Sequence, residues 1–271
     1  MKQAEAGRLV IHMGVQKTGS TAFHHFVRNN RAALDPFLHI LTPAKATPAR
    51  ALGRMAGLCS LHAAKEPEFA AVAREVRDSL TGAGKTCLIS HENLPGAMPG
   101  RDGVVALYPQ IEHLLEILDR EFEPFEPEYV IYTRSMAAWK RSVHNQAVKS
   151  DRYKGTLEDF LHETADGGTW GALQARVEAA VGKDRCQFFA LEDEADRTRP
   201  GSQLLRFAGV PEDVIARLIP VEGVRNQSLT AGALEFLRLA NELELPQDAR
   251  RPLSELVQKN QGLFVTAPEV Q

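Results

Sequence analysis

The stretch Leu9-Val10-Ile11-His12-Met13-Gly14-Val15-Gln16-Lys17-Thr18-Gly19-Ser20-Thr21-Ala22-Phe23 decides the fold. An apolar run of strand length stops at Gly14, and Phe23, Phe26, Val27 and Leu34 then recur at near-helical spacing. The hydrophobic period therefore changes across a loop bounded by Gly14 and Gly19. A buried strand that feeds a helix through such a loop is a phosphate site. The backbone N–H groups of the loop and the positive end of the helix dipole face the same anion.

The loop departs from the nucleotide-kinase pattern G-x-x-x-x-G-K-S/T, in which lysine follows the second glycine and a hydroxyl holds magnesium. Gly14 and Gly19 keep that spacing, but Ser20 stands at the lysine position and Lys17 lies inside the loop. A lysine carried there can reach the bridging oxygen of a phospho-anhydride and neutralise the leaving group without a metal ion.

Two further segments bear on the same chemistry. In Tyr129-Val130-Ile131-Tyr132-Thr133-Arg134-Ser135-Met136-Ala137-Ala138-Trp139-Lys140-Arg141-Ser142, Arg134 leaves a strand and Ser142 falls on the helix that follows. A guanidinium and a hydroxyl so placed can converge on a phosphate. Leu88-Ile89-Ser90-His91-Glu92-Asn93-Leu94 delivers Ser90, His91 and Glu92 at the carboxyl end of another strand, where ligands bind in open α/β sheets. A neutral imidazole near pH 7 suits removal of a hydroxyl proton, and a carboxylate beside it is the rival base.

Taken in chain order, these segments resemble the PAPS-dependent sulfotransferases, where PAPS is 3′-phosphoadenosine 5′-phosphosulfate. Gly14 to Thr21, G-V-Q-K-T-G-S-T, is similar to the family's 5′-phosphosulfate-binding loop, and Arg134 with Ser142 is similar to its 3′-phosphate-binding segment. The strand ending at Ser90 and His91 resembles the one that carries the family's general base. The resemblance implies that Gly14, Gln16, Lys17, Thr18, Gly19, Ser20 and Thr21 hold the 5′-phosphosulfate and that Lys17 steadies charge on the departing phosphate oxygen. Arg134 and Ser142 would clamp the 3′-phosphate, and His91 or Glu92 would take the acceptor's proton, some glycan-acting branches being described with a glutamate base. PAPS would be the co-substrate, with no metal required. Phe188 to Asp193 resembles the family's Y-E-D-L-like strand end, with Leu191 in place of the tyrosine. Val224 to Leu229 stands where the family has an R-K-G-x-x-G loop; its glycines are absent, Arg225 is a further candidate for the 3′-phosphate, and Ser228 can equally cap the next helix.

Composition sets the bounds. The chain has 271 residues, 44% hydrophobic and 25% charged, an ordinary globular balance able to bury a core. A net charge of -3 argues against a protein that coats nucleic acid. Cys59, Cys87 and Cys186 are far apart and show neither zinc-ligand nor disulfide-framework spacing. Met1 to Arg8 is polar, and no apolar run reaches membrane-spanning length. A cytoplasmic location, no nucleic-acid partner and no membrane partner are the expectation, and the chain alone leaves a homo-oligomer possible.

Strand-like runs at 37–41, 85–90, 128–133 and 185–191 alternate with helical patterns at 66–80, 104–120, 136–149 and 170–181, and the chain beyond Ser150 is mostly helical. This predicts a single α/β domain over residues 1–271, a three-layer P-loop-like fold with a central parallel β-sheet flanked by helices and a helical C-terminal part. Residues 42–61, rich in Pro, Ala and Gly, read as a loop with short helical pieces, a candidate wall of the acceptor site. His24 and His25 are adjacent on a helix and point about 100° apart, so at most one faces the cleft, and the pair reads as non-catalytic. The expected activity is sulfuryl transfer from PAPS to a hydroxyl, less readily an amine, of a small-molecule or carbohydrate acceptor. The alternatives are a P-loop small-molecule or nucleoside kinase, or a non-catalytic relative that binds adenosine 3′,5′-bisphosphate.

Overall fold

In the computed structural model, which describes residues 7–45, 47–80, 84–222, 229–243 and 245–264, the opening apolar run forms β1 (Leu9–Met13), buried at every position. It leads through the glycine-bounded loop into α1 (Ser20–Asn29), followed by α2 (Arg31–Leu34) and β2 (Leu38–Leu41). Next come α3 (Pro48–Cys59), α4 (Glu66–Ser79), β3 (Thr86–His91), α5 (Ile111–Glu121) and β4 (Glu128–Thr133). The chain continues as α6 (Met136–Ser150), α7 (Leu157–Glu163), α8 (Trp170–Val181), β5 (Cys186–Ala190), α9 (Ser202–Phe207), α10 (Glu212–Arg217), α11 (Ala231–Glu242) and α12 (Gln247–Lys259).

Residues within Met1–Ala97, Leu107–Ser135 and Thr169–Gly223 form one compact unit, and those within Met98–Ala106, Met136–Gly168 and Val224–Gln271 a second. The first holds a five-stranded sheet in the order β2-β3-β1-β4-β5, with every pairing parallel. Both faces of such a sheet must be covered, and the central strands β1, β3 and β4 are accordingly buried along nearly their whole length, while the edge strand β2 alternates. On one face Val10, Leu88, Val130 and Tyr132 pack with Phe23, Phe26 and Val27 of α1, Leu204 and Leu205 of α9, and Ile215 of α10. The alternate residues Ile11, Ile89, Tyr129 and Ile131 are equally buried. Helix α3 packs on β3, α8 packs on β5, and α3, α4, α5 and α8 pack one against the next. The fold class is thus α/β, a parallel sheet flanked by helices.

Strand β1 lies between β3 and β4, so the chain leaves it toward one edge and later crosses to the other. The carboxyl end of β1 is therefore the switch point of the sheet, the place where open α/β sheets leave a crevice.

The second unit is helical. Val148 of α6, Ala233 and Leu237 of α11 and Val257 of α12 form its core. Asn241 ties these helices together, donating to the carbonyls of Val148 and Tyr153 and accepting from the Arg250 guanidinium.

Two sequence expectations fail for identifiable reasons. Within 42–61, read as a loop with short helical pieces, residues 48–59 form one regular helix, α3. Its start is well specified, since the Thr47 hydroxyl accepts from the Arg50 N–H and Pro48 occupies the first turn. Gly53 and Gly57 are buried in that helix. The helix expected from 104 begins instead at Ile111, because Gly103 (φ 78) and Tyr108 (φ 48) adopt left-handed backbone before it. Among the described residues no helix is long and apolar enough to cross a membrane.

Candidate functional site

The loop between β1 and α1 is closed from within. The Gly14 N–H donates to the His91 carbonyl at 3.2 Å, tying the loop to the end of β3. A Cβ at Gly14 would sit 2.7 Å from Ser20 Oγ and 3.2 Å from His12 Cε1, so a side chain has no room there. The Thr18 N–H and hydroxyl both donate to the Val15 carbonyl, at 3.3 and 2.6 Å. Thr18 therefore shapes the loop with the proton that the sequence reading gave to the anion. Gln16 is likewise engaged: its Nε2 donates to Asn93 Oδ1 (3.1 Å) and the Gly96 carbonyl (3.0 Å), and its Oε1 accepts from the Tyr108 hydroxyl (2.6 Å). Its amide latches the loop to the segment that follows β3.

Lys17 adopts φ 69, a conformation costly for a residue with a side chain and one that clusters at ligand-binding sites. Gly19, at φ 93, is the N-cap of α1 and supplies no side-chain cap. The first-turn N–H groups are consequently available to an anion. Ser20, the first helical residue, is only 5% exposed, and its Oγ is buried without a hydrogen-bond partner among the described residues. A buried hydroxyl so left is uncommon and points to a ligand.

Arg134 follows the last residue of β4 and donates from Nη1 to the Lys17 carbonyl at 3.4 Å, so the structure brings this sequence candidate to the loop. Its own carbonyl accepts from the Trp170 indole at 2.6 Å, and the neighbouring Ser135 N–H donates to Glu192 Oε1 at 2.9 Å. Leu191 borders the same loop, its Cδ1 lying 3.4 Å from where a Gly19 Cβ would be. Ser142 lies on α6 of the second unit and is half-buried. Arg225 and Ser228 lie outside the described residues.

At the end of β3, His91 is 4% exposed. Its ring abuts Gly53 of α3, where an added Cβ would fall 2.2 Å from Cγ. Its Nδ1 accepts the Asn93 N–H at 3.0 Å and lies 3.6 Å from Glu92 Oε2. Burial lowers its pKa, Glu92 opposing and Arg50 assisting, so the ring is neutral with its proton on Nε2. Glu92 is more open, its side chain 36% exposed, with no hydrogen bond to Oε2 among the described residues.

Sequence reasoning missed His12 and the convergence of two histidines on Ser90. His12 of β1 and Ser90 of β3 are register partners, and His12 Nδ1 lies 2.8 Å from Ser90 Oγ. His24 of α1 places Nε2 at 2.8 Å from the same oxygen. Burial pushes the His12 pKa down to about 3 and that of His24 to about 4. For His24, Glu92 pulls the other way, while His91 and His25 reinforce the drop. The two rings part as their helical spacing predicts, His24 toward Ser90 and His25 toward Arg28. The spacing held a signal, because His24 is one helical turn beyond Ser20 and shares its face.

The sequence matches no family model and no curated protein. Among solved structures it is similar to the crystal structure of a sulfotransferase from Alicyclobacillus acidocaldarius, at 12% identity and a TM-score of 0.45, over 92% of this chain and 100% of that one.

Proposed function

We propose that this chain is a PAPS-dependent sulfotransferase that moves a sulfuryl group to a hydroxyl. The observation that carries the anion site is the uncapped start of α1, with the Ser20 hydroxyl buried and unpartnered inside a loop that bears Lys17. The motifs around it select the donor: Ser20 replaces the kinase lysine, and Arg134 is the strand-end arginine expected for a 3′-phosphate.

A bound donor would supply an S–O bond beside its 5′-phosphate. The N–H groups of Gly19, Ser20 and Thr21 and the Ser20 hydroxyl would hold that phosphate, while the helix dipole favours its charge. Lys17 would neutralise the oxygen on which charge develops as the S–O bond breaks, where stabilisation acts on the rate rather than on ground-state binding. Arg134 would hold the 3′-phosphate by charge-assisted hydrogen bonds. Gln16 and Thr18 keep the loop in shape. The acceptor is a small molecule or carbohydrate, and its proton leaves toward the polar groups clustered around the end of β3.

Thermal shift tests the donor class. Adenosine 3′,5′-bisphosphate without metal should raise Tm, since a ligand that binds only the folded state stabilises it by about 2.7 kcal/mol at a hundred times Kd. Lys17→Ala should remove most turnover of labelled PAPS while binding of the bisphosphate persists. Stabilisation by ADP with magnesium, and none by the bisphosphate, would point to a phosphotransferase and overturn the proposal.

A further inference from the structure

One hydroxyl, that of Ser90, joins two buried imidazoles from different elements, His12 of β1 and His24 of α1, each at 2.8 Å. A hydroxyl carries a single proton, so only one of the two facing ring nitrogens can accept from it and the other must donate. With both rings neutral and the Ser90 proton given to one of them, two proton orders are available. In the first, His12 Nδ1–H donates to Ser90, Ser90 donates to His24 Nε2, and the His24 proton sits on Nδ1. In the second, His24 Nε2–H donates to Ser90 and Ser90 donates to His12 Nδ1. The His12 proton then sits on Nε2, and His24 Nδ1 is left with an in-plane lone pair.

The surroundings of His12 favour the second order. Its Nε2 is buried and has no hydrogen-bond partner among the described residues. The ring makes T-shaped contacts with Phe23 and Tyr132, at centroid separations of 5.6 and 5.4 Å. An N–H among aromatic rings is stabilised by their faces, whereas a bare lone pair is not.

His91 stands differently. Its Nδ1 is occupied by the Asn93 N–H and its ring is held against Gly53, so its neutral form has no lone pair to offer without breaking that bond. His24 is near enough to Glu92 and His91 to feel both electrostatically. Among these imidazoles it is the half-buried one, and it stands one turn beyond the start of the anion-binding helix.

We propose that His24, with Nε2–H held on Ser90 Oγ, takes the acceptor's proton on Nδ1, with Glu92 balancing the imidazolium that forms. The inference rests on the sulfuryl-transfer reading above. The acceptor oxygen bonds to sulfur as the bond from sulfur to the 5′-phosphate oxygen breaks, and that oxygen keeps the electron pair beside Lys17. The acceptor O–H proton passes to His24 Nδ1 and is then released to water. His12 stays neutral throughout and acts as a positioning residue, fixing the direction of the Ser90 proton.

Nitrogen-15 NMR of the full chain with labelled histidine, assigned with His24→Gln, reads the tautomer directly, with and without adenosine 3′,5′-bisphosphate. The expected result is Nε2 protonated and Nδ1 bare on His24; a protonated Nδ1 overturns the proposal. The glutamine amide can keep a bond to Ser90, so His24→Gln should lower the rate of labelled PAPS consumption, with water or a panel of phenols and sugars as acceptor, on the order of 100-fold. Its affinity for the bisphosphate should not change. A variant that keeps wild-type turnover within a few-fold also overturns the proposal. Failure of the wild-type chain to bind the bisphosphate would instead bring down the donor reading, and this inference with it.

Discussion

Lowering the pH from about 7 to about 4.5 protonates the histidines of an unfolded chain, while the fold holds His12 and His24 neutral, with pKa values near 3 and 4 against an ordinary 6.5. Between those limits the unfolded state binds more protons than the folded one, so stability falls as the pH falls. Each such imidazole contributes a slope of about 1.4 kcal/mol per pH unit. Two of them acting from about pH 6.5 to about pH 4.5 remove about 5 kcal/mol in all, a large part of the roughly 5–15 kcal/mol that holds a typical domain together. Burial depresses the His91 pKa as well, which adds to the loss with the same sign.

Carboxylates held low by arginine partners, such as Glu112 beside Arg176, have folded values below their unfolded ones. Their stabilisation is present above the unfolded value of 4.5 and is lost only at lower pH, so the histidine window precedes it. Urea unfolding at pH steps across that window measures the effect, with m constant to show that the exposed surface is unchanged. His12→Leu removes one of the two groups and should flatten the slope by one proton's worth, whatever it does to stability at pH 7. A wild-type slope below one proton, or an unchanged slope in His12→Leu, would refute the assignment of buried neutral imidazoles.

Three further outcomes follow from packing and backbone geometry. Gly53→Ala drives a methyl to 2.2 Å from the His91 ring; overpacking of this kind costs about 1–3 kcal/mol, read as a lower urea midpoint, and it shifts the His91 resonances. Tyr108→Phe deletes the donor to Gln16 Oε1 and should cost about 1–3 kcal/mol while weakening binding of adenosine 3′,5′-bisphosphate, measured by calorimetry. Lys17→Gly relieves the left-handed backbone that Lys17→Ala retains, so the glycine variant should be about 1 kcal/mol more stable than the alanine variant, with neither transferring sulfate.

The sheet was readable from local pattern because each strand is a short continuous apolar run between turn residues, as at Leu9–Met13 and Glu128–Thr133. Helix α3 was not, because Gly53 and Gly57 break helices on propensity alone, whereas here the absence of a side chain lets the helix approach His91. The sequence marked the loop between β1 and α1, but not how its groups divide their hydrogen bonds. Thr18 and Gln16 look like ligand donors in sequence, and their partners, Val15, Asn93, Gly96 and Tyr108, are revealed by the fold. His12 hid inside an apolar run. Its contact with Ser90 depends on parallel register between strands 78 residues apart, and no local period encodes that pairing.

The division within the loop explains how so short a segment could bind a highly charged donor. Groups that hold the loop's shape have their hydrogen bonds made before any ligand arrives, through Thr18 to Val15, Gln16 to Asn93 and Gly14 to the His91 carbonyl. Among the described residues, the first turn of α1 has no side-chain cap and Ser20 Oγ has no hydrogen-bond partner, which leaves these groups suited to an anion. Binding at such a site orders little that is not already ordered, so the ligand's interaction energy is not consumed in arranging the cradle. The left-handed Lys17 belongs to the same scheme. Its backbone is held by the Arg134 bond to its carbonyl and by the glycine that follows Thr18, and that constraint sets where its side chain departs from the loop. Strain at the residue proposed to meet the leaving oxygen, in a loop whose shape is already held by Thr18, Gln16 and Gly14, fits a site that spends its binding on the transition state.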